Sequence, residues 1–454
     1  MRTFERLESE VRSYCRTFPV VFSTARGSRM TAENGREYID FWSGSGALNY
    51  GHNNPRLKRP LLDYLERDGL THSLDLASVA KRELLECFER LILMPRGLSY
   101  KVQFPGPTGT NAVEAALKLA RKVTGRSNVV YFTRAYHGMT LGALAVTANA
   151  AKRAGAGVPL GCAQAMPYEG YVAGQDTIGC LRAYLEDSGS GLDLPAAAIV
   201  ETVQAEGGVH AASADWLRRL GELLAAHGVL LIVDDIQVGC GRTGTFFSFE
   251  AAGIKPDIVL LSKSISGFGL PLSLVLIRPE LDRWRPGEHN GTFRGHNLAF
   301  VTGTAALASY WQDDALEGAV RAKAARVEER LLAIAAHCSP LGAHGAPFAP
   351  SGRVRGRGLI QGLDLSGGPE ARDGVSAAQR VSQLAFERGM IVETAGSRNE
   401  VVKLLPALTI EDADLEAGLE ILQRSVERMI EERAPAAAVA SPASPAADIP
   451  VSPR

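Results

Sequence analysis

Short apolar runs alternate with longer amphipathic stretches through the middle of the chain, and this alternation restricts the fold more than any other feature. The runs are rich in β-branched residues, and most of the stretches between them are long enough for a crossover helix. We therefore predict an α/β fold with a mainly parallel sheet buried between helices on both faces. The runs are Lys101–Phe104, Val129–Phe132, Ala196–Val200, Val229–Val233, Ile258–Leu261 and Ser273–Ile277.

The spacing of the runs and the helical patterns beside them refine this prediction. Ser273–Ile277 follows its predecessor too closely for a long helix to intervene, so we expect it to pair antiparallel with that neighbour. An apolar stripe predicts a helix over Val113–Val123, with a capping box of Asn111 and Glu114 before it and Gly125 after it. Helices are also predicted over Ala324–Ala336 and Glu411–Glu431.

The chain is expected to fold as two units, because its 454 residues exceed one ordinary domain. Residues 61–320 are predicted to form the large unit with the sheet. Residues 1–60 and 321–433 are predicted to form a smaller α+β unit around it. Residues 434–454 consist largely of Ala, Pro, Ser and Val without a periodic apolar face, which predicts a disordered tail.

Charge and cysteine content exclude several classes of partner. The formal net charge is −1 and the chain has no Lys/Arg block, which argues against nucleic acid and against a lipid surface. The charged N-terminus does not resemble a secretory signal, and no apolar run reaches the length of a membrane span. The six cysteines form no metal-binding pattern and are typical of reduced thiols in a cytoplasmic protein.

Polar side chains follow five of the apolar runs, at the points where the predicted strands end. Ligands of open parallel sheets bind beyond the carboxyl ends of the strands, so we expect these side chains to line one site. In chain order they are Gly109 with Thr110, Tyr136 with His137, Glu201 with Glu206, Asp234 with Gln237, and Lys263.

The turn at Gly109 and Thr110 precedes a predicted helix, whose free N–H groups and dipole would favour a phosphate. It could equally be an ordinary capped strand-to-helix turn, and it is not a Walker loop. Tyr136 could stack on a heteroaromatic ring with His137 as a hydrogen-bonding neighbour, or both could be core residues.

Asp234 and Lys263 carry the sharper prediction. A carboxylate directly after a buried strand needs a partner, and a protonated pyridine nitrogen would be one. The alternatives are a structural carboxylate or a metal pair with Asp235, although no clustered histidine supports a metal. Burial of Lys263 would make its amine nucleophilic, whereas a lysine taken alone is more often solvated. The combination favours a cofactor site.

Longer segments resemble a known family. Tyr136-His137-Gly138, LLIVDDIQVGCGRTG over Leu230–Gly244 and LSKSISGFGLP over Leu261–Pro271 resemble the class III, or omega, aminotransferases, from about Phe4 to about Glu431. The resemblance implies pyridoxal 5'-phosphate as cofactor, the fold type I of pyridoxal-phosphate transferases, and homodimers or higher homo-oligomers with sites at the subunit interface.

The same resemblance implies a role for each matching residue. Lys263 is similar to the lysine that holds the cofactor as a Schiff base and shuttles the proton. Asp234 is similar to the partner of the pyridine nitrogen. The remaining implied roles are ring stacking for Tyr136, the ring hydroxyl for Gln237, the phosphate for Gly109 and Thr110, cofactor contacts for His137 and Glu201, the phosphate of the neighbouring subunit for Thr292, and a substrate-dependent switch for Glu206.

The chain departs from the family pattern at Lys403. Many members carry an arginine there that grips a substrate carboxylate, and lysine cannot offer the same bidentate fork. Lys403 is nevertheless a candidate substrate residue. Ala205 also replaces a more usual glycine before Glu206.

The expected activity follows from the subgroup that the chain resembles. The segments Tyr100–Lys122 and Gly287–Thr302 are similar to members that exchange the 4-amino group between L-2,4-diaminobutyrate and 2-oxoglutarate. Other omega-aminotransferase substrates, an aminomutase or racemase reaction on the same fold, and a non-catalytic binding protein are the alternatives. The residues do not choose among ectoine, siderophore and peptide-antibiotic synthesis for the product.

Overall fold

A computed structural model describes residues 1–338, 352–366 and 374–433. The predicted tail at 434–454 lies outside these described residues. The strands are β1 (Phe22–Arg26), β2 (Arg29–Ala32), β3 (Glu37–Asp40), β4 (Lys101–Gln103), β5 (Val129–Phe132), β6 (Ala163–Met166), β7 (Ala197–Val200), β8 (Val203–Gln204), β9 (His210–Ala211), β10 (Leu230–Asp234), β11 (Ile258–Leu261), β12 (Leu274–Ile277), β13 (Arg353–Arg357), β14 (Ile360–Asp364), β15 (Met390–Ile391), β16 (Glu393–Ala395) and β17 (Val401–Leu404).

The helices flank these strands along the whole described chain, and they are joined by short 3-10 turns. They are α1 (Arg2–Leu7), α2 (Tyr14–Thr17), α3 (Ser43–Gly46), α4 (Pro55–Glu66), α5 (Val79–Phe88), α6 (Gly109–Thr124), α7 (Leu141–Ala145), α8 (Ala150–Arg153), α9 (Thr177–Glu186), α10 (Ala214–Ala226), α11 (Asn297–Tyr310), α12 (Ala315–His337), α13 (Ala377–Glu387) and α14 (Asp412–Arg433).

The largest sheet has the strand order β4-β12-β11-β10-β7-β5-β6. The pairs among β11, β10, β7, β5 and β6 are parallel, whereas β12 runs antiparallel to β11 and to β4. The predicted α/β fold with a mainly parallel sheet is therefore confirmed, as is the antiparallel pairing of Ser273–Ile277. The central strands β5, β7, β10 and β11 are almost fully buried, which explains their continuous apolar sequence.

Edge strand β6 was not predicted from the sequence. Ala163 is partly buried, Gln164 and Ala165 are exposed, and only Met166 at its end is buried. A strand at the margin of the sheet needs no continuous apolar run, so it leaves little trace in the sequence.

Helix α6 begins earlier than its apolar stripe indicated. Its N-cap is Thr108, whose backbone N–H donates to Asn111 Oδ1 at 3.2 Å in a capping box. The predicted box of Asn111 with Glu114 is therefore wrong. Glu114 instead accepts a 3.0 Å hydrogen bond from the backbone N–H of Ala143 in α7. The predicted terminator Gly125 is confirmed in the left-handed conformation, with φ of 69°.

Both ends of the chain contribute to one smaller sheet of order β1-β2-β3-β15. In it β15, from late in the chain, pairs parallel with β3, with Met390 opposite Ile39. A further sheet, β13-β14-β17-β16, comes from the C-terminal part. This arrangement suits the predicted small unit, whose boundaries at residues 60 and 320 stay a prediction.

Candidate active site

A cavity of about 390 Å³ lies at the carboxyl ends of the parallel strands. Its walls come from the segments that follow β4, β5, β7, β10 and β11, together with Tyr14 and Ser45 from the N-terminal part. The predicted residues that line it are Gly109, Thr110, Tyr136, His137, Glu201, Glu206, Asp234, Gln237 and Lys263.

Lys263 occupies a strained position directly after β11. Its φ of 53° lies in the left-handed region, which non-glycine residues rarely adopt. Its Nζ donates a 2.9 Å hydrogen bond to the backbone carbonyl of Ser45. Burial lowers the pKa of the Lys263 ammonium, and this effect outweighs the attraction of Glu206. A larger share of the amine is therefore neutral and nucleophilic than in a solvated lysine.

Asp234 ends strand β10 and is held by two partners. Its Oδ2 lies 2.7 Å from His137 Nδ1, and its Oδ1 accepts a 3.1 Å hydrogen bond from the backbone N–H of Ile236. Both Asp234 and His137 are buried. The imidazole thus fixes the orientation of the carboxylate at the cavity wall, as neighbours of a working carboxylate commonly do.

Glu201 orients the segment that carries Tyr136. Its Oε2 accepts a 3.0 Å hydrogen bond from the backbone N–H of Tyr136. Burial, together with repulsion from Asp234, raises the pKa of Glu201 well above its usual range. On the other side, Lys152 Nζ lies 4.8 Å from the centroid of the Tyr136 ring, a distance typical of a cation–π contact. The ring of Tyr136 is thereby positioned at the cavity.

The start of α6 forms a crowded turn at one end of the cavity. A Cβ at Gly109 would lie 2.9 Å from Ile236, and one at Gly138 would lie 2.5 Å from Thr110 Oγ1. Small residues at both positions let the backbone of the turn close on the helix N-terminus. The free N–H groups at that N-terminus, with the Thr110 hydroxyl, suit an anionic oxygen group.

Glu206, Glu393 and Lys403 form a group that we call the carboxylate–lysine cluster, in which Glu393 and Lys403 are buried and Glu206 is partly exposed. Lys403 Nζ lies 2.5 Å from Glu206 Oε1 and 3.2 Å from Glu393 Oε1, and the lysine side chain is fully buried. Glu206 lines the cavity, whereas Lys403 lies behind it. The predicted use of Lys403 for a substrate carboxylate stays a prediction, since its ammonium is already paired.

Opposing effects set the ionisation of the cluster. Burial disfavours the ionised form of Glu206, but the ammonium groups of Lys403 and Lys263 prevail and lower its pKa to about 2. For Lys403, burial acts against the charge and the two carboxylates outweigh it, so the pKa is raised. Burial dominates at Glu393, and with repulsion from Glu206 it raises the pKa of that carboxyl.

Gln237 bridges two parts of the site. Its Nε2 donates to the Ser45 carbonyl at 2.8 Å and lies 3.4 Å from Glu206 Oε1. Ser45 therefore receives hydrogen bonds from both Gln237 and Lys263.

Tyr14, Ser45 and Glu393 were not found by sequence reasoning. Tyr14 and Ser45 belong to no recognisable motif. Glu393 follows the apolar segment Met390–Val392 and is buried, so the argument used for Asp234 applies to it equally and could have found it.

Thr292 lies apart from the residues described above. It is exposed, it does not line the cavity, and its backbone carbonyl is 2.9 Å from His72 Nε2. Its predicted role in the site of a neighbouring subunit stays a prediction.

The cavity fits pyridoxal phosphate on its own chemistry. Gln237 Oε1 and His137 Nε2 are buried and have no hydrogen-bond partner among the described residues. A polar group within the cavity would satisfy such an atom. The cavity also offers an amine of lowered pKa, an oriented carboxylate, an aromatic side chain and an anion-binding turn, which correspond to the carbonyl, ring nitrogen, ring face and phosphate of the cofactor.

Residues 1–338, 352–366 and 374–433 contain no group of three or more His, Cys, Asp or Glu side chains placed to hold a metal ion. Asp235 binds Ser248 instead, accepting a 3.0 Å hydrogen bond from its backbone N–H. Within those same ranges no helix is long and apolar enough to cross a membrane.

Fold and cavity together define the class of pyridoxal-phosphate enzymes of fold type I. A sequence model of the family described as aminotransferase class-III matches residues 12–426. The chain belongs to this family.

Relatives and solved structures agree with this assignment. The chain is 57% identical to the diaminobutyrate–2-oxoglutarate transaminase of Nocardia farcinica, over 95% of this chain and 97% of that protein. It is 58% identical to the enzyme of the same name from Streptomyces anulatus, over 94% and 97%. The ornithine aminotransferase of Toxoplasma gondii, whose structure holds PLP at partial occupancy, matches with a TM-score of 0.80 and 28% identity over 95% of this chain and 94% of that one.

Proposed function

We propose that this enzyme exchanges the 4-amino group between L-2,4-diaminobutyrate and 2-oxoglutarate. In the biosynthetic direction L-glutamate aminates L-aspartate 4-semialdehyde. Relatives of 57% and 58% identity that carry the name diaminobutyrate–2-oxoglutarate transaminase support this substrate pair. The observation that carries the proposal is the position of Lys263, whose partly buried amine faces the same cavity as Asp234 and as the Glu206–Lys403 ion pair.

The residues that would hold the cofactor lie around one cavity. Lys263 would bond its carbonyl carbon and Asp234 would receive its ring nitrogen. Gln237 would meet the ring hydroxyl, and Tyr136 would cover the ring. Gly109 and Thr110, at the start of α6, would bind the phosphate. When bound, pyridoxal phosphate supplies an electron sink for the carbon from which the proton leaves.

Lys263 is the group placed to move that proton. Its lowered pKa leaves more of the amine in the basic form at neutral pH, ready to take a proton from one carbon and return it to another. The hydrogen bond to the Ser45 carbonyl, at 2.9 Å, holds Nζ in place between these events. Asp234 serves a different purpose, since His137 keeps its carboxylate oriented toward the cavity.

Glu206 and Lys403 would let one cavity accept two unlike substrates. While the pair is intact, at 2.5 Å, the Lys403 ammonium is covered and Glu206 lines the cavity. Movement of Glu206 toward solvent would uncover Lys403 for a carboxylate of 2-oxoglutarate. A point-charge ammonium suits this task less specifically than a guanidinium fork, and the second carboxylate, Glu393, would position it.

We also propose a homodimer or higher homo-oligomer in the cytoplasm. Thr292 is exposed and lies outside the cavity of its own chain, which suits a residue that reaches the site of a partner subunit. The cysteines are free, as is typical of a reducing compartment. The diaminobutyrate produced would serve ectoine biosynthesis or another route that consumes it, such as siderophore or peptide-antibiotic synthesis.

A half-reaction tests the proposed function directly. The absorption spectrum of the purified enzyme with bound pyridoxal phosphate is recorded before and after L-2,4-diaminobutyrate is added alone. We expect the cofactor band to convert to that of pyridoxamine phosphate, and 2-oxoglutarate to restore it. Lys263→Ala, treated identically, should show neither change.

Other outcomes would separate the alternatives. If another amine converts the cofactor band and diaminobutyrate does not, that amine is the substrate and the proposed substrate is wrong. A spectrum that returns unaided after a transient change would indicate a mutase or racemase, because transamination alone leaves a lasting pyridoxamine form. If no band forms with added pyridoxal phosphate, the chain is not an enzyme of this class.

A further inference from the structure

Glu393 lies at the junction of two cavities. An outer cavity of about 840 Å³ adjoins the active-site cavity, and the two share Tyr14, Lys152 and Glu206 as lining residues. Glu393 lines the outer cavity, and its Oε2 lies 3.3 Å from both the Tyr14 hydroxyl and Ser45 Oγ, which belong to the inner one. Its carboxylate is therefore only one side chain away from the reaction cavity.

Within the carboxylate–lysine cluster, Glu393 is the carboxylate that is less closely paired with the ammonium. The carboxylate–lysine cluster contains two carboxylates and one ammonium, and the ammonium lies closer to Glu206 than to Glu393, at 2.5 against 3.2 Å. The nearer Oε1 of Glu393 has no hydrogen bond of good geometry to a described residue. Its Oε2 receives only neutral hydroxyl groups. A buried carboxylate in this position is stabilised by a further cation.

Ser45 links this carboxylate to the reacting amine. Its carbonyl accepts the 2.9 Å hydrogen bond from Lys263 Nζ, while its hydroxyl reaches Glu393. One residue, Ser45, therefore separates the reacting amine from the Glu393 carboxylate. A diamino acid carries a second ammonium that can extend past Ser45 toward Glu393, and a mono-amine does not.

We propose that Glu393 pairs with the ammonium group of the amino donor that is not transferred, and so selects diamino acids. The inference rests on the proposed function and deepens it. The two substrates then bind to residues of opposite charge in the carboxylate–lysine cluster. The diamino acid takes the surplus carboxylate, Glu393, whereas the dicarboxylic 2-oxoglutarate takes the ammonium of Lys403. Glu393 acts as a specificity-determining residue and takes no part in proton transfer.

Two donors that differ only in the second ammonium provide the test. 4-Aminobutyrate has the reacting amine and the carboxylate of L-2,4-diaminobutyrate but lacks its 2-amino group. Half-reaction rates with each donor give kcat/KM for the wild type and for Glu393→Gln. We expect Glu393→Gln to lower kcat/KM for diaminobutyrate by about 10- to 100-fold, as for a lost hydrogen bond to a charged group. The value for 4-aminobutyrate should stay within about threefold.

Matched variants keep the result interpretable. Glu387→Gln makes the same chemical change at an exposed carboxylate of the outer cavity and should leave the ratio of the two donors unchanged. Glu393→Asp keeps the charge but retracts it by one methylene, so it should lower the ratio by a smaller factor. Its measurement decides the case if Glu393→Gln fails to bind cofactor.

The outcomes distinguish this inference from the proposed function. If the wild type transaminates diaminobutyrate but the donor ratio is unchanged in the folded Glu393 variants, the role of Glu393 is wrong and the proposed function stands. If the wild type does not react with diaminobutyrate at all, the proposed function itself fails.

Discussion

Lys263 combines a strained backbone with a restrained amine. A φ of 53° costs a non-glycine residue on the order of 1–3 kcal/mol, which the surrounding structure must offset. The buried strand β11 before it and the hydrogen bond from Nζ to Ser45 hold this conformation. With this backbone conformation the Lys263 side chain lines the cavity.

Replacing Lys263 by alanine should abolish transamination while leaving the fold intact. We expect kcat to fall by at least about a thousandfold, because the group that moves the proton is lost. Lys255→Ala, a change of the same kind at an exposed lysine bound to the Gly97 carbonyl, is the control and should leave kcat unchanged. Stopped-flow measurement of the half-reaction provides the rate. Equal rates for both variants would contradict the role of Lys263.

Loss of the Lys403 ammonium should lower the free energy of unfolding by more than the loss of a typical surface ion pair. Lys403→Met leaves the buried Glu393 and the partly exposed Glu206 without the cation nearest to both, which should lower stability by about 3–5 kcal/mol. The triple variant Lys403→Met, Glu206→Gln, Glu393→Gln removes every charge of the carboxylate–lysine cluster and should recover most of that loss. Thermal unfolding followed by calorimetry compares the two. A triple variant no more stable than the single one would show that packing, and not charge, holds the cluster.

At the scale of elements, the conformation of the α6 N-terminus depends on two glycines, one in a neighbouring loop and one in the helix itself. Gly138, in the loop after β5, has a φ of 133° and lies against the Thr110 side chain. Gly109, the first residue of α6, lies against Ile236. The loops after β5 and β10 thus pack against the same helix N-terminus. Together with β4, which precedes α6, they set its geometry.

Gly138→Ala should weaken binding of the pyridoxal-phosphate phosphate group and leave Lys263 and Asp234 unchanged. Its Cβ would displace Thr110 Oγ1, which lies 2.5 Å from the added atom. We expect the dissociation constant for pyridoxal phosphate to rise by about tenfold. Titration of the cofactor-free protein with pyridoxal phosphate measures it. Gly161→Ala, where an added Cβ meets nothing within 4 Å, should leave the constant unchanged, and a similar rise there would refute the steric argument.

Local patterns in the sequence were sufficient for the central strands and for the residues at their ends. Each buried strand carries a continuous apolar run, and polar side chains that line the cavity follow it closely in the chain. Contacts between distant residues leave no such pattern. The cap of α6 depends on Thr108, one turn before the apolar stripe, and the Lys403–Glu206 pair joins β17 to the loop after β8. This pairing could not be read from the spacing of residues alone.

At the scale of the molecule, Arg242 joins three distant segments. Its guanidinium is fully buried and donates to the carbonyls of Leu359 and Pro406 at 2.9 and 2.5 Å, and to Asn49 Oδ1 at 2.6 Å. These acceptors come from the N-terminal and C-terminal parts, while Arg242 itself follows β10. The planar fork of donors is what allows one side chain to serve all three.

Arg242→Lys should therefore be destabilising despite keeping the charge. An ammonium cannot reach all three acceptors in their present geometry, and each one left unpaired costs about 1–3 kcal/mol. We expect a clear fall in Tm. Arg218→Lys, at an exposed position of α10, should shift Tm little. Comparable shifts for the two variants would mean that the buried fork is not what ties the segments together.

Subunit mixing tests whether Thr292 serves a partner subunit. Lys263→Ala and Thr292→Val homodimers should each be impaired. When the two proteins are mixed and allowed to exchange subunits, the heterodimer regains one complete site, with Lys263 from one subunit and Thr292 from the other. Activity above the sum of the separate proteins is expected. No gain, despite exchange shown by light scattering and native mass spectrometry, would place Thr292 in its own subunit or outside the site.

The wall between the two cavities has a consequence for how the protein is made. Tyr14 and Glu393 are 379 residues apart in the sequence, yet their side chains meet, with the Tyr14 hydroxyl 3.3 Å from Glu393 Oε2. During synthesis the ribosome must therefore release the whole stretch between them before the wall can form. A nascent chain that already displays Lys263 still lacks β16 and β17, so its amine stays without this wall until those strands have been made.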